Sequence, residues 1–174
     1  MPQALRYAAV IGKGGNCPPA VRDLAVRVGL QLAALHPAVV LVCGGLGGVM
    51  DAAAQGMTKG GGVAIGLVPA GHTPSVHLTY AIRLGLPLLF RDIITAMAAD
   101  LVIVLPGSHG TVIEGWAAAD RRLPLVGVGD HSRFPSACLP FTATAEPAEL
   151  PALAAQLLGP LEVDRADQGR DLVP

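Results

Sequence analysis

Three glycine-rich stretches and two charged side chains are the residues of this chain whose types and spacing could do chemistry. Gly12-Lys13-Gly14-Gly15-Asn16, Gly44-Gly45-Leu46-Gly47-Gly48 and Gly107-Ser108-His109-Gly110-Thr111 each stand between a short apolar run and a helix-length segment. Glycine reaches positive φ cheaply and lets a ligand come close to backbone. A helix that follows such a turn offers unpaired N–H groups and the positive end of its dipole. Together these make an anion cradle that requires no lysine. Arg91 and Glu114 are the charged pair. A carboxylate can stabilise developing positive charge or position water, and a guanidinium can fix a phosphate or hold the carboxylate.

Plainer roles compete. The glycines could simply make tight strand-to-helix turns. Glu114 could complement the dipole of its own helix, and Arg91 could pair with Asp92 or Asp120. Thr111 could cap its helix, bind phosphate, or both. His109 reads as a loop residue beside the ligand, and Lys13 as a flexible cation near the same edge. Asp51 reads as stabilising a helix start, and Trp116 as core or dimer interface. Gly60-Gly61-Gly62 follows a helix and precedes a strand, which predicts a helix C-cap and turn. Neither GxxxxGK[ST] nor GxGxxG is present. A kinase or a simple dinucleotide oxidoreductase is therefore disfavoured.

The elements that must position these residues follow from hydrophobic pattern. Tyr7–Ile11, Val39–Cys43, Val63–Val68, Leu101–Leu105 and Leu125–Val128 are continuous apolar runs. Runs without alternation suit strands covered on both faces of a parallel sheet. Leu78–Ile82 is a weaker strand candidate. Helices are predicted over Pro19–Leu35, Gly48–Lys59, Phe90–Ala98, Thr111–Arg122 and Ala148–Leu158. The alternation predicts an α/β fold: a Rossmann-like open, mostly parallel sheet with helices on both faces. All three glycine clusters then fall at carboxyl ends of strands, the edge where such sheets bind ligands. A single domain over 1–160 is expected, with a polar C-terminal tail over 161–174.

Composition narrows the function classes. The 174 residues carry a formal net charge of −1, with 52% hydrophobic but only 3% aromatic residues. No basic run or basic aromatic stripe occurs, so no nucleic-acid partner is expected. Cys17, Cys43 and Cys138 are odd in number and lack CxxC spacing, and His36, His72, His77 and His131 have no ligand spacing. No disulfide framework, metal site or required cofactor is expected, and Cys43 reads as a buried small hydrophobe. No signal-peptide pattern or membrane-length apolar stretch is seen, so the expected location is cytoplasmic and away from membranes.

Several of these segments together resemble the LOG (SLOG) superfamily, once misnamed lysine decarboxylases. The resemblance is carried by Val42-Cys43-Gly44-Gly45-Leu46-Gly47-Gly48-Val49-Met50, then Gly60-Gly61-Gly62 and Gly66-Leu67-Val68-Pro69. Pro106-Gly107-Ser108-His109-Gly110-Thr111-Val112-Ile113-Glu114 is similar to the signature PGGxGTxxE, and Arg91 followed by Ala99-Asp100 also fits. The opening Val10-Ile11-Gly12-Lys13-Gly14 and the compact length look more like the DprA-related branch of molybdenum-cofactor carriers than plant-type LOG enzymes.

The resemblance implies catalytic roles for Arg91 and Glu114. It implies ligand binding by Gly12, Lys13, Gly44, Gly45, Gly47, Gly48, Met50, Gly107, Ser108, His109, Gly110 and Thr111. It implies a nucleoside 5′-monophosphate, such as AMP, as a substrate whose N-glycosidic bond is hydrolysed to free base and ribose 5-phosphate. The alternative it implies is a non-catalytic carrier that holds molybdenum cofactor by its pterin's phosphate. A homodimer or higher homo-oligomer is expected in either case. Two departures bear on the choice. The hydrolases have Lys after the arginine and Met three positions further on, where this chain has Asp92 and Thr95. Ser108 replaces the second glycine of the signature, which leaves its backbone N–H in place.

Overall fold

The computed structural model describes residues 5–159. The predicted tail lies outside them. Seven strands are β1 (Arg6–Ile11), β2 (Val39–Cys43), β3 (Ala64–Val68), β4 (Tyr80–Arg83), β5 (Leu101–Val104), β6 (Leu125–Gly127) and β7 (Ala143–Thr144). They form one sheet in the order β4-β3-β2-β1-β5-β6-β7. Every pairing is parallel, so the sheet is fully rather than mostly parallel. β1 is central, with Ala8 opposite both Leu41 and Leu101.

Five helices cover the two faces: α1 (Pro19–Ala33), α2 (Val49–Lys59), α3 (Leu88–Met97), α4 (His109–Asp120) and α5 (Leu150–Leu158). On one face α1, α2 and α5 bury Val28, Leu32, Met57, Ala154 and their neighbours against Val10, Leu41 and Ile103. On the other, the smaller cluster joins Ala96 of α3 and Ala118 of α4 to Ile11, Val102 and Val104. Small residues set the distances. A Cβ on Gly29 would strike the Ala53 carbonyl, and one on Gly56 the Val26 carbonyl. α1 and α2 therefore touch backbone to backbone, a contact that only glycine permits.

The strand expectations stand to within a residue or two. The weak candidate near Leu78 is the edge strand β4, displaced to Tyr80–Arg83. The segment between β6 and α5 holds regular structure of its own. It contains a 3₁₀ turn (Pro135–Cys138), the two-residue β7 and a second 3₁₀ turn (Pro147–Glu149). Local pattern is too short to announce a two-residue strand; its pairing with β6 makes it one. Gly60 closes α2 as expected, with its N–H to the Gly56 carbonyl and Gly62 N–H to that of Met57.

The strand order places a topological switch at β1. The chain runs outward from β1 to β4, and α3 then carries it back across the face to β5. The loop after β1 leads to α1 on one face and the loop after β5 to α4 on the other. A crevice must open between them at the carboxyl edge.

Candidate functional site

The crevice is a cleft of about 330 Å³ at that switch point. Gly12, Gly14 and Gly15 from the loop after β1 form one wall. Ser108, Gly110, Thr111 and Glu114 of the start of α4 form the opposite wall. Leu46 and Met50 contribute from the second glycine loop and α2, and Leu88, Arg91 and Asp92 from α3.

Backbone ties hold the three loops together. Lys13 N–H donates to the Pro106 carbonyl at 3.1 Å, and Val49 N–H donates to the Lys13 carbonyl at 2.9 Å. Gly48 has φ +73°, and a Cβ there would meet the Lys13 carbonyl. The third loop is anchored from behind. Gly107 N–H donates to Ser136 Oγ at 3.0 Å, and Ser136 N–H donates back to the Gly107 carbonyl at 3.3 Å. His131 Nδ1 lies 2.9 Å from the same hydroxyl. Burial holds the His131 pKa below the usual imidazole range, offset in part by nearby carbonyls and Asp130.

Arg91 projects from α3 into the cleft and is only 3% exposed. Its guanidinium occupies the space above Gly44, where a Cβ would land on Nη1. Nη1 donates to Met50 Sδ at 3.3 Å and Nη2 lies 3.2 Å from Asp92 Oδ1, while Nε is buried without a partner. Thr111 Oγ1, packed over Gly107, is likewise buried and unpartnered. Orphaned buried donors cost free energy unless a partner arrives. Two of them on residues that line one cleft, beside the N-terminus of a helix of 12 residues, make a site that an oxyanion would complete.

The carboxylates counterbalance that field. Glu114 is buried, and burial first, then the Asp92 charge, raises its pKa well above the usual carboxylate value, against the lowering effect of Arg91. Burial also raises the Asp92 pKa, with Arg91 opposing. Burial thus disfavours the charged form of Glu114, while Arg91 and Asp92 form an ion pair at 3.2 Å.

Several expectations need correction or a new role. Glu114 is the sixth residue of α4, beyond its first turn, so dipole complementarity does not explain it. Thr111 is not the cap; Ser108 occupies that position, without a side-chain cap bond. Trp116 is 51% exposed and so is not core. Arg91 pairs with Asp92, one of its two expected partners. Asp51 does begin α2, but it also binds Arg22 Nη2 at 2.6 Å and Ser75 Oγ at 2.7 Å, pinning the 69–79 loop. Asp100 receives Tyr7 N–H at 2.8 Å at the amino edge of the sheet, away from the cleft. Cys43 is fully buried, its pKa pushed up to about 11 mainly by burial.

Of the residues expected at the ligand, Gly12, Met50, Ser108, Gly110, Thr111, Arg91 and Glu114 line the cleft. Lys13, Gly44, Gly45, Gly47, Gly48, Gly107 and His109 are not among its lining residues. Gly44, Gly48 and Gly107 instead make room for Arg91, the Lys13 carbonyl and Thr111. Asp92, Gly14, Gly15, Leu46 and Leu88 line the cleft but were not among the expected site residues. From the sequence, Asp92 stands out only as a departure from the hydrolase pattern and as one of two pairing partners for Arg91. Ser136 and His131 carry no local motif; their role follows from packing alone. Among the described residues, no group of three or more His, Cys, Asp or Glu could hold a metal ion. Nor is any helix there long and apolar enough to cross a membrane.

Comparison with known proteins agrees with this architecture. An uncharacterized protein of Archaeoglobus fulgidus is 32% identical over 113 residues, 63% of this chain and 71% of that protein. The molybdenum cofactor binding protein from the phototrophic bacterium Rippkaea orientalis superposes with a TM-score of 0.77 at 25% identity, covering 89% of this chain and 98% of that one. The molybdenum cofactor carrier protein of Chlamydomonas reinhardtii gives 0.76 at 27% identity, with 88% and 98% covered. The single-stranded-DNA-binding DNA processing protein A of Helicobacter pylori shares the fold alone, at 16% identity and a TM-score of 0.59 over 74% of this chain and 67% of that one. The model of the SLOG cluster4 family matches residues 5–149, and the chain belongs to that family.

Proposed function

We propose that the protein binds a small phosphorylated heterocycle, its phosphate at the start of α4 and its ring toward Leu46, Met50 and Leu88. The observation that carries this reading is the pair of buried, unpartnered donors, Arg91 Nε and Thr111 Oγ1, in one cleft. The cleft is at the small end of ligand pockets, which span about 300–1,000 Å³. That suits a monophosphate better than a dinucleotide.

The carrier role is the first form of this reading, with molybdenum cofactor as cargo. The Arg91–Asp92 pair and the burial of Glu114 favour it, because a hydrolase needs its charged groups free to meet charge that develops on the ribose. The likeness to two proteins that bind or carry molybdenum cofactor also supports it. The second form is hydrolysis of a nucleoside 5′-monophosphate, favoured by the presence of Arg91 and Glu114 in the same cleft. The experiment offers the pure protein AMP, other nucleoside 5′-monophosphates and molybdenum cofactor, and measures retention and free base. Retention of cofactor without base release supports the carrier; base release supports the hydrolase. Absence of binding by all of them overturns both.

A homodimer completes the proposal. Leu89 and Phe90 of α3, Ile113 and Trp116 of α4, and Tyr80 and Ile82 on β4 are exposed, large and apolar. An exposed edge strand and a broad apolar face ask for a partner, and a second copy of the chain is the one we propose. A cytoplasmic location accords with this reading.

A further inference from the structure

We propose that Asp92 determines which anions the cleft accepts, admitting a phosphate ester that shares a proton with its carboxyl group and disfavouring a bare dianion. This inference rests on the phosphate site proposed above.

The geometry sets two groups against each other. Asp92 Oδ1 is held by Arg91 Nη2 at 3.2 Å. Its other oxygen, Oδ2, lies 3.6 Å from the point where a Cβ on Gly110 would stand. That point is at the second residue of α4, where an oxyanion at the helix start would meet the backbone N–H groups. The buried, unpartnered Thr111 Oγ1 and Arg91 Nε belong to residues that line the same cleft. An ionised Asp92 would thus stand in near contact with the bound anion, and in a partly desolvated cleft that repulsion is several times what water would allow.

A proton resolves the conflict. Taken from solvent, it sits on Asp92 Oδ2 or on the facing phosphate oxygen, and the O–H then donates to the other oxygen. A repulsive contact becomes a charge-assisted hydrogen bond. Arg91 cannot remove the repulsion alone, because its one charge is already matched by Asp92. Glu114 on α4 is the other charged group coupled to Asp92, and His109 adjoins Gly110, where a Cβ would lie 3.6 Å from Asp92 Oδ2. Glu114 is buried, and burial disfavours its charged form. His109, an imidazole at the first position of α4, is the control residue.

Sulfate is the discriminating probe, since it remains a dianion across the whole range. Its affinity is measured by calorimetry from about pH 5.5 to 8 on the intact wild type, Asp92→Asn and His109→Gln, alongside AMP. We expect wild-type sulfate affinity to fall by about tenfold or more over that range, the effect of linkage to one proton. Asp92→Asn, which keeps an oxygen for Arg91, should be nearly flat and bind sulfate about tenfold more tightly than the wild type at pH 8. His109→Gln should keep the wild-type slope. A slope retained in Asp92→Asn, or lost in His109→Gln, overturns the assignment. Binding of AMP by the wild type with sulfate profiles unchanged by Asp92→Asn overturns this inference alone. If neither AMP nor sulfate binds any of the proteins, the phosphate site itself falls and Asp92's role with it.

Discussion

The Arg91 guanidinium lies directly over the α-carbon of Gly44, in the volume that any larger residue would claim for its Cβ. A glycine at the end of β2 is thus what lets an arginine from α3 reach the cleft. Gly44→Ala should expel Arg91 and cost about 1–3 kcal/mol, the usual range for overpacking. Denaturant unfolding would check the cost, and AMP calorimetry the accompanying loss of binding. Wild-type stability in this variant would mean that the guanidinium has another resting place.

Gly110 offers the opposite test. A Cβ there meets nothing closer than Asp92 Oδ2, at 3.6 Å. Gly110→Ala should therefore fold with near-wild-type stability, within about 0.5–1 kcal/mol given the helix preference for alanine. It should bind AMP at least about tenfold more weakly, because the methyl group stands at the helix start where the phosphate is proposed. Gly45 is not an equivalent probe: at φ +72°, packed against Gly66, it would report folding instead.

Glu114 should make stability depend on pH with a definite sign. Its folded pKa is raised above the ordinary 4.5, chiefly by burial. Between those two values the folded protein binds more protons than the unfolded chain, so stability falls as pH rises, by at most about 1.4 kcal/mol per pH unit. Below the ordinary value the dependence vanishes. Glu114→Gln should flatten this part of the profile and be the more stable protein at pH 8. Urea melts at several pH values would check it, and a wild-type stability that rises with pH from this region would contradict it.

Ser136→Ala removes the hydroxyl that accepts Gly107 N–H and leaves that buried group unpaired. The expected cost is about 1–3 kcal/mol. Loosening of the 107–111 loop should also weaken AMP binding. A loss of stability with unchanged affinity would show that the anchor matters to the fold but not to the site.

The exposed apolar face predicts a dimer at micromolar concentration. Trp116→Glu or Phe90→Glu should convert it to monomer with little effect on the stability of the protomer, since both side chains are more than half exposed. Sedimentation velocity would decide, and a wild type that is strictly monomeric would remove the prediction.

The strands of this protein are legible because they are buried on both faces. Val39–Cys43 and Leu101–Val104 are apolar at every position, and that pattern together with the following glycines is local information. It is enough to place the three glycine clusters, with Ser108, Gly110 and Thr111, at one edge of one sheet, while Arg91 and Glu114 are singled out by the family resemblance. The identity of the cleft walls is not local. Nothing around Ser136 announces that it will receive Gly107 N–H, because the two are 29 positions apart. Glu114 reads as a helix-start acid until the observed boundary moves it past the first turn. Gly44, Gly48 and Gly107 make room for Arg91, the Lys13 carbonyl and Thr111, and what a missing Cβ admits depends on what packs above it. The charge state of the site belongs to tertiary structure for the same reason. Burial and the facing charges of Arg91 and Asp92 set the Glu114 proton, and both quantities exist only once α3 has crossed the sheet and packed against α4.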